Sequence, residues 1–230
     1  MVVHPHLLRH WLKPVVSNAG FTLLEAIMAM VIVSITMIGV TPLMFMVTAS
    51  RVQLRRAEQA QQIAQAEIDR VRTTVERGVY AATDLPAVVT SALGTVAAAS
   101  TVDSQIMKST RPNCNSYDGR TLGSGTFLQV DTNGDCVSDF LLQSYRTAGT
   151  PGTTVPTSGF RMAVRVYVDN PTLRQNLSNL RTNPVALSFT SGLGGQISRP
   201  MTVVYSTIVR NDTGNSLQDY RAVCTAPGAC

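Results

Sequence analysis

Beyond His10 the chain contains no histidine, and the three it has, His4, His6 and His10, crowd the first ten residues. Imidazole is the commonest general base near neutral pH and the commonest transition-metal ligand. Both chemistries are therefore missing from nearly the whole chain. There is no Gly-rich phosphate loop, no serine nucleophile elbow and no C-x-x-C pair of the kind that holds structural zinc. The carboxylate pair Asp131 and Asp135 is all that remains for an enzyme, and its spacing fits a turn better. Aromatic residues make up 6% of the chain, which allows only a modest core. A net charge of +5 over 230 residues is too thin for the dense basic face that nucleic acids require.

The sharpest absence is local. No charged residue lies between Glu25 and Arg51. Residues 26–50 are long enough to cross a bilayer, for which about 20 apolar residues suffice. One carboxylate, Glu25, stands at the head of this run. An acid in such a place is expensive to bury without a partner, which makes it a functional candidate. Residues 1–20 are short and basic, carry Arg9 and Lys13, and end in the small residue Gly20. They have the look of a processing segment rather than structure. A secretory signal peptide places its apolar core before the cut, whereas here it follows Gly20. Cleavage after Gly20 would remove a cytoplasmic leader and leave the helix on the product, with roughly +3 of charge. An uncleaved signal anchor is the alternative. Counting Lys and Arg on the two flanks does not place the leader in the cytoplasm, because Arg51, Arg55 and Arg56 stand on the far side.

Past the apolar run the helical period continues. Ala57, Ala60, Ala64, Ile68, Val71 and Val75 recur at steps of three or four and mark one apolar face. Glu67 with Arg70, and Arg72 with Glu76, are spaced to meet on a helix surface. Gly78 is a stop signal. The expectation is one helix over 21–78, of which fifty residues would span about 75 Å. Gly39 and Pro42 predict a bend or stretched turn inside it. A free coiled-coil stalk is disfavoured because the seam is mostly alanine.

Residues 79–230 are expected to form a β-rich domain outside the cytoplasm. The part before 126 predicts loops with one short helix near Pro86–Ala92. Strands are expected at Thr126–Val130, Val137–Tyr145, Phe160–Val168, Val185–Phe189 and Met201–Val209. In the third, Phe160, Met162, Val164, Val166 and Val168 share one face, and Arg161, Arg165 and Tyr167 the other. That alternation suits an antiparallel sheet with one covered face. Residues 147–159 predict a loop, and 170–183 a loop or short helix. The fold class is thus α+β: a long N-terminal helix, membrane-spanning in its first half, packed on a small antiparallel sheet.

All four cysteines, Cys114, Cys136, Cys224 and Cys230, lie in this domain. An even number beyond an export-type segment points to disulfides. Three connectivities are open. Cys114–Cys136 with Cys224–Cys230 is favoured, because each closes a short loop containing Gly, Asn or Pro. Asp131, Asn133 and Asp135, with Asp139 further on, alternate oxygen ligands as a calcium loop does. The spacing is not that of an EF-hand, and Asn133-Gly134 is also a strong hairpin turn signal.

Gly20-Phe21-Thr22-Leu23-Leu24-Glu25, set at the start of an apolar run that contains Pro42, resembles the processing site of type IV prepilins and type II secretion pseudopilins. The resemblance covers the leader, the membrane helix and its extension. It implies cleavage between Gly20 and Phe21 by a prepilin peptidase, N-methylation of Phe21, and pairing of Glu25 with the terminal amine of a neighbouring subunit. It also implies a pilin-like fold, a bacterial inner-membrane location with the C-terminal domain outside, and later residence in a pilus or pseudopilus. The implied partners are other pilin subunits, the inner-membrane assembly machinery and membrane lipid. Some members carry calcium in loops like that of Asp131. Ala60–Arg72, with Ala64, Glu67, Ile68, Asp69 and Arg72, resembles minor pilins of the PilV type, and a structural, non-enzymatic role is expected. A membrane-anchored ligand-binding or adhesion module is the reading of another class.

Overall fold

The computed structural model describes residues 22–150, 157–185, 197–211 and 214–225, and omits the side chains of 41–43, 45, 46, 48 and 49. Two compact units divide the chain, Met1–Thr48 and Ala49–Cys230. The expected segments 1–20, most of Val185–Phe189 and the chain beyond Thr225 lie outside the described residues.

Helix α1 runs from Leu23 to Arg77 as one α-helical element. It passes through Gly39 and Pro42 as continuous α-helix, so the bend or stretched turn expected there does not break it. Proline removes one ladder bond, from its own position to the carbonyl four residues before, and the remaining bonds keep the helix continuous. Gly78, at φ +72°, ends it in the left-handed region where glycine carries no Cβ penalty.

Within the first unit the side chains of α1 are exposed from Leu23 to Val40. Two hydroxyls in this apolar stretch bond back to the helix itself: Ser34 Oγ donates to the Met30 carbonyl at 2.7 Å and Thr36 Oγ1 to that of Val33 at 2.8 Å. Such back-bonding satisfies a polar group where no water is present.

The second unit contains the sheet. Its strands are β1 Ala87–Val88, β2 Thr101–Ser109, β3 Thr126–Asp131, β4 Phe140–Arg146, β5 Gly159–Val168 and β6 Thr202–Val209. The order is β2-β3-β4-β5-β6, with β1 beside the end of β4. The β3–β4, β4–β5 and β5–β6 pairs are antiparallel, while β2–β3 and β1–β4 are parallel. The sheet is thus mixed rather than purely antiparallel.

Ala60, Ala64, Ile68, Val71 and Val75 of α1 are at most 2% exposed. They join Leu128 and Val130 of β3, Phe140 and Leu142 of β4, Phe160, Met162, Val164 and Val166 of β5 and Ile208 of β6 in one core. Alanine suits this face because a small side chain lets the helix axis approach the sheet while larger residues fill the space.

The opposite face is covered too, against expectation. Phe127, Leu141 and Tyr167 pack there with Ala99 and Leu173, and Tyr145 and Ala163 pack with Leu93 and Val96. The cover comes from residues 93–99 and from helix α2, Pro171–Gln175. Residues 79–125 were expected as loop with a helix near Pro86–Ala92. Instead β1 and β2 lie there, with 3-10 turns at Ala82–Asp84, Leu93–Thr95 and Pro112–Cys114. β2 is a half-exposed edge strand with Asp103 and Lys108, so it shows no apolar alternation. β4 begins at Phe140 rather than Val137, because residues 131–139 form a turn. Helix α3, Ser216–Cys224, was not anticipated; it buries one residue, Val223.

Candidate processing and assembly segment

Thr22 precedes the first turn of α1. Its carbonyl accepts from the amides of Glu25, at 2.9 Å, and Ala26, at 3.1 Å. Its hydroxyl also accepts from the Glu25 amide, at 3.3 Å. Thr22 therefore caps the helix start, and T-x-x-E is the sequence signature of such a cap. That signal lay in the sequence and went unread. Glu25 stands in the first turn, where a carboxylate is favoured by the partial positive charge of the unpaired amides. Its side chain is exposed, and no ion pair reaches it among the described residues. Gly20 and Phe21 lie outside the described residues.

Behind Glu25 the stretch Leu23–Val40 has a mean hydropathy of 2.3, and none of it is buried. Among the described residues it is the one helix long and apolar enough to cross a membrane. Isolated apolar side chains on a surface are ordinary, but eighteen residues of uncovered helix are not. Lipid or other apolar helices are the surroundings such a surface fits.

The Asp131 loop is built around one carboxylate. Oδ1 accepts from the amides of Gly134 at 2.7 Å and Asn133 at 3.2 Å. Oδ2 accepts from Ser109 Oγ at 2.7 Å and the Cys136 amide at 3.0 Å. Burial pushes the Asp131 carboxyl up, but these four donors outweigh it and hold the group below the usual carboxylate range. Asp139 Oδ2 accepts from the Thr132 amide and hydroxyl, and Asp135 from the Val137 amide and Asn133 Nδ2. The four proposed calcium ligands therefore share one loop, yet their oxygens serve the loop's own amides and hydroxyls. Among the described residues no three His, Cys, Asp or Glu side chains are grouped to hold a metal.

Cys114 and Cys136 form a disulfide that ties the 3-10 turn after β2 to this loop. Cys224 is also disulfide-bonded, while Cys230 lies outside the described residues.

Sequence reasoning missed the second polar centre. Arg165, placed by alternation on a solvent face, is fully buried. Its Nη1 donates to the Val96 carbonyl at 2.7 Å, and its guanidinium lies 5.1 Å from the centre of the Tyr145 ring. Gln143, its cross-strand partner, donates to the carbonyls of Ser124 at 2.7 Å and Ala97 at 2.9 Å. Tyr145 donates to Leu93 at 2.9 Å. Together they fasten residues 93–97 over the sheet. The cation is held by carbonyls and an aromatic ring rather than by an acid, so this is a structural pin.

Comparison with known proteins agrees with the head of α1. Residues 16–41 match the family described as the prokaryotic N-terminal methylation motif. No curated protein and no solved structure matches the chain. The helix-on-sheet domain has a pilin-like architecture, and the motif with one uncovered apolar helix among the described residues is consistent with a membrane anchor. The motif itself is of the kind typical of type IV pilin-like proteins.

Proposed function

We propose that the chain is a minor type IV pilin-like subunit, similar to the PilV type. A prepilin peptidase cuts it after Gly20, Phe21 is N-methylated, and the product waits in the inner membrane with its β-domain outside. It then enters a pilus, or primes its assembly, through contacts with other pilin subunits and the assembly machinery. One observation carries this reading: the methylation motif over residues 16–41 ends inside an apolar helix whose stretch Leu23–Val40 nothing among the described residues covers. A soluble enzyme has no use for such a helix. A filament subunit uses it twice, first in lipid and then among neighbouring helices.

Glu25 supplies specificity. After cleavage the α-amine of Phe21 lies four residues from it, and the same amine on an adjacent subunit offers a cation of the right reach. In a low-dielectric bundle an unpaired carboxylate is strongly disfavoured, so only a register that pairs the two charges is stable. The Cys224–Cys230 pairing expected from the sequence would close the chain's end into a small loop.

The test is the intact mass of the protein recovered from membranes. The reading requires a chain that starts at Phe21 and carries one extra methyl group. Recovery of protein still beginning at Met1 defeats it. Identification of co-purifying filament subunits separates a pilus from a type II secretion pseudopilus.

A further inference from the structure

We propose that Arg51, Arg55 and Arg56 form a collar that binds the phosphates of anionic phospholipids, in the leaflet on the domain side of the bilayer. The proposal requires only that α1 spans a membrane and is independent of any filament.

The charge-free run 26–50 rises about 38 Å as a helix. A bilayer is about 30 Å thick in its hydrocarbon and about 40–45 Å with its headgroups. The first charges after the run therefore emerge among headgroups. All three are arginines, and all three are exposed. None of them is in an ion pair: among the described residues the ion pairs are Glu67–Arg70, Asp69–Arg72, Asp118–Arg120 and Asp169–Arg174, and Arg56 lines a cleft that also holds Asp139 and Asp169. Glu58, the nearest acid along the helix, is not among them.

Helical spacing sets their directions. Arg51 and Arg55 share the face opposite the one that Ala57, Ala60 and Ala64 turn to the sheet, with Leu54 on one flank and Val52 and Arg56 on the other. Leu54 is 52% exposed and Val52 51%, so large apolar side chains alternate with the cations. Such a mixture suits the boundary layer, where stems lie in the acyl region and heads reach the phosphates. Arginine matches a phosphate with two parallel hydrogen bonds, a geometry lysine lacks. A second copy of this chain is a poorer occupant, because its own copy of this helix would bring the same three cations.

The experiment uses the full chain reconstituted in lipid nanodiscs of phosphatidylcholine with a minor share of phosphatidylglycerol. Spin-labelled lipids report the composition of the layer touching the protein. The native protein should enrich phosphatidylglycerol by about fivefold or more at low salt, with the preference fading as salt rises. The R51Q/R55Q/R56Q variant should fall close to the bulk composition. Arg9 and Lys13 are unchanged in both proteins, so the difference isolates the collar. Equal thermal unfolding of the two proteins shows that the domain is intact; if the triple variant is destabilised, the single R51Q and R55Q variants should each give a partial loss. Equal selectivity in native and variant protein, or none in either, overturns the proposal. So does arginine-dependent self-association in discs without phosphatidylglycerol, which would assign the face to a second copy.

Discussion

Glu67 and Arg70 form a bidentate ion pair one helical turn apart, at 2.7 and 3.0 Å, with the Glu67 side chain 1% exposed and that of Arg70 23% exposed. Arg70 Nη1 also reaches the carbonyls of Asp84 and Gly119, each at 3.4 Å. The pair therefore ties α1 to two loops of the domain. Its two halves are not equivalent. Arg70→Ala leaves a carboxylate buried and unpaired, a loss of about 3–5 kcal/mol. Glu67→Ala leaves a cation that can still reach water, and should lose clearly less. Thermal unfolding of both variants is the check, and equal losses would contradict this account.

Stability at low pH should follow Asp131. Burial raises its carboxyl, but the bonds from Ser109, Gly134, Cys136 and Asn133 together hold it below the normal value. A depressed acid contributes stability that is complete above its unfolded value of about 3.9 and is lost as pH falls through the folded value. The melting temperature should be flat from neutral pH to about 5 with respect to this group, then fall on further acidification. Asp131→Asn should melt lower at pH 7 and show a shallower acid limb. An unchanged limb in that variant would remove Asp131 from the account.

Cys136 has φ +66°, in the left-handed region that disfavours residues with a Cβ. The disulfide to Cys114 closes 22 residues of sequence, and its loss should cost about 3 kcal/mol. Two double variants separate cross-link from backbone. C114A/C136A and C114A/C136G both lose the bond, but glycine removes the left-handed penalty. The glycine version should be more stable by about 1 kcal/mol. The reverse order in chemical denaturation would show that the backbone there relaxes once the bond is gone.

Glu25→Ala should leave processing intact, because cleavage lies five residues before it, while incorporation into filaments should fail or drop sharply. Immunoblots of membrane and sheared-filament fractions read both steps. Normal incorporation would end the register argument. Gly20→Ala should slow cleavage only in part, and a bulky residue there should leave full-length protein on a gel.

Much of the architecture was legible, for reasons particular residues make clear. Ala60, Ala64, Ile68, Val71 and Val75 repeat at the helical period because one side of α1 is buried. The β5 residues Phe160 to Val166 alternate because that face meets the helix. Cys114 and Cys136 flank a turn rich in Asn, Asp and Gly, and they pair as expected. Other features were not legible. Arg72 pairs with Asp69 at 3.5 Å rather than with Glu76, since either acid is one turn away and spacing alone cannot choose. β2 gave no signal because its register with β3 shifts midway and it is a half-exposed edge strand carrying Asp103 and Lys108. The bonding inside the Asp131 loop was not legible either, because an oxygen that accepts amides and one that binds calcium belong to the same residue types.

The order of residues alone determined the charge-free run with one acid at its head and the methylation motif over residues 16–41, for neither needs a tertiary contact. The periodic alanine face belongs with them, since helical geometry is local. Tertiary structure decided how the sheet is closed. Arg165 looked like a solvent residue because alternation reports only which side chains share a face, never whether that face is covered. The cover comes from residues 93–99, far along the chain, whose carbonyls need donors once they leave water. A buried guanidinium flanked by Gln143 and Tyr145 supplies them, and only the folded chain brings these groups together.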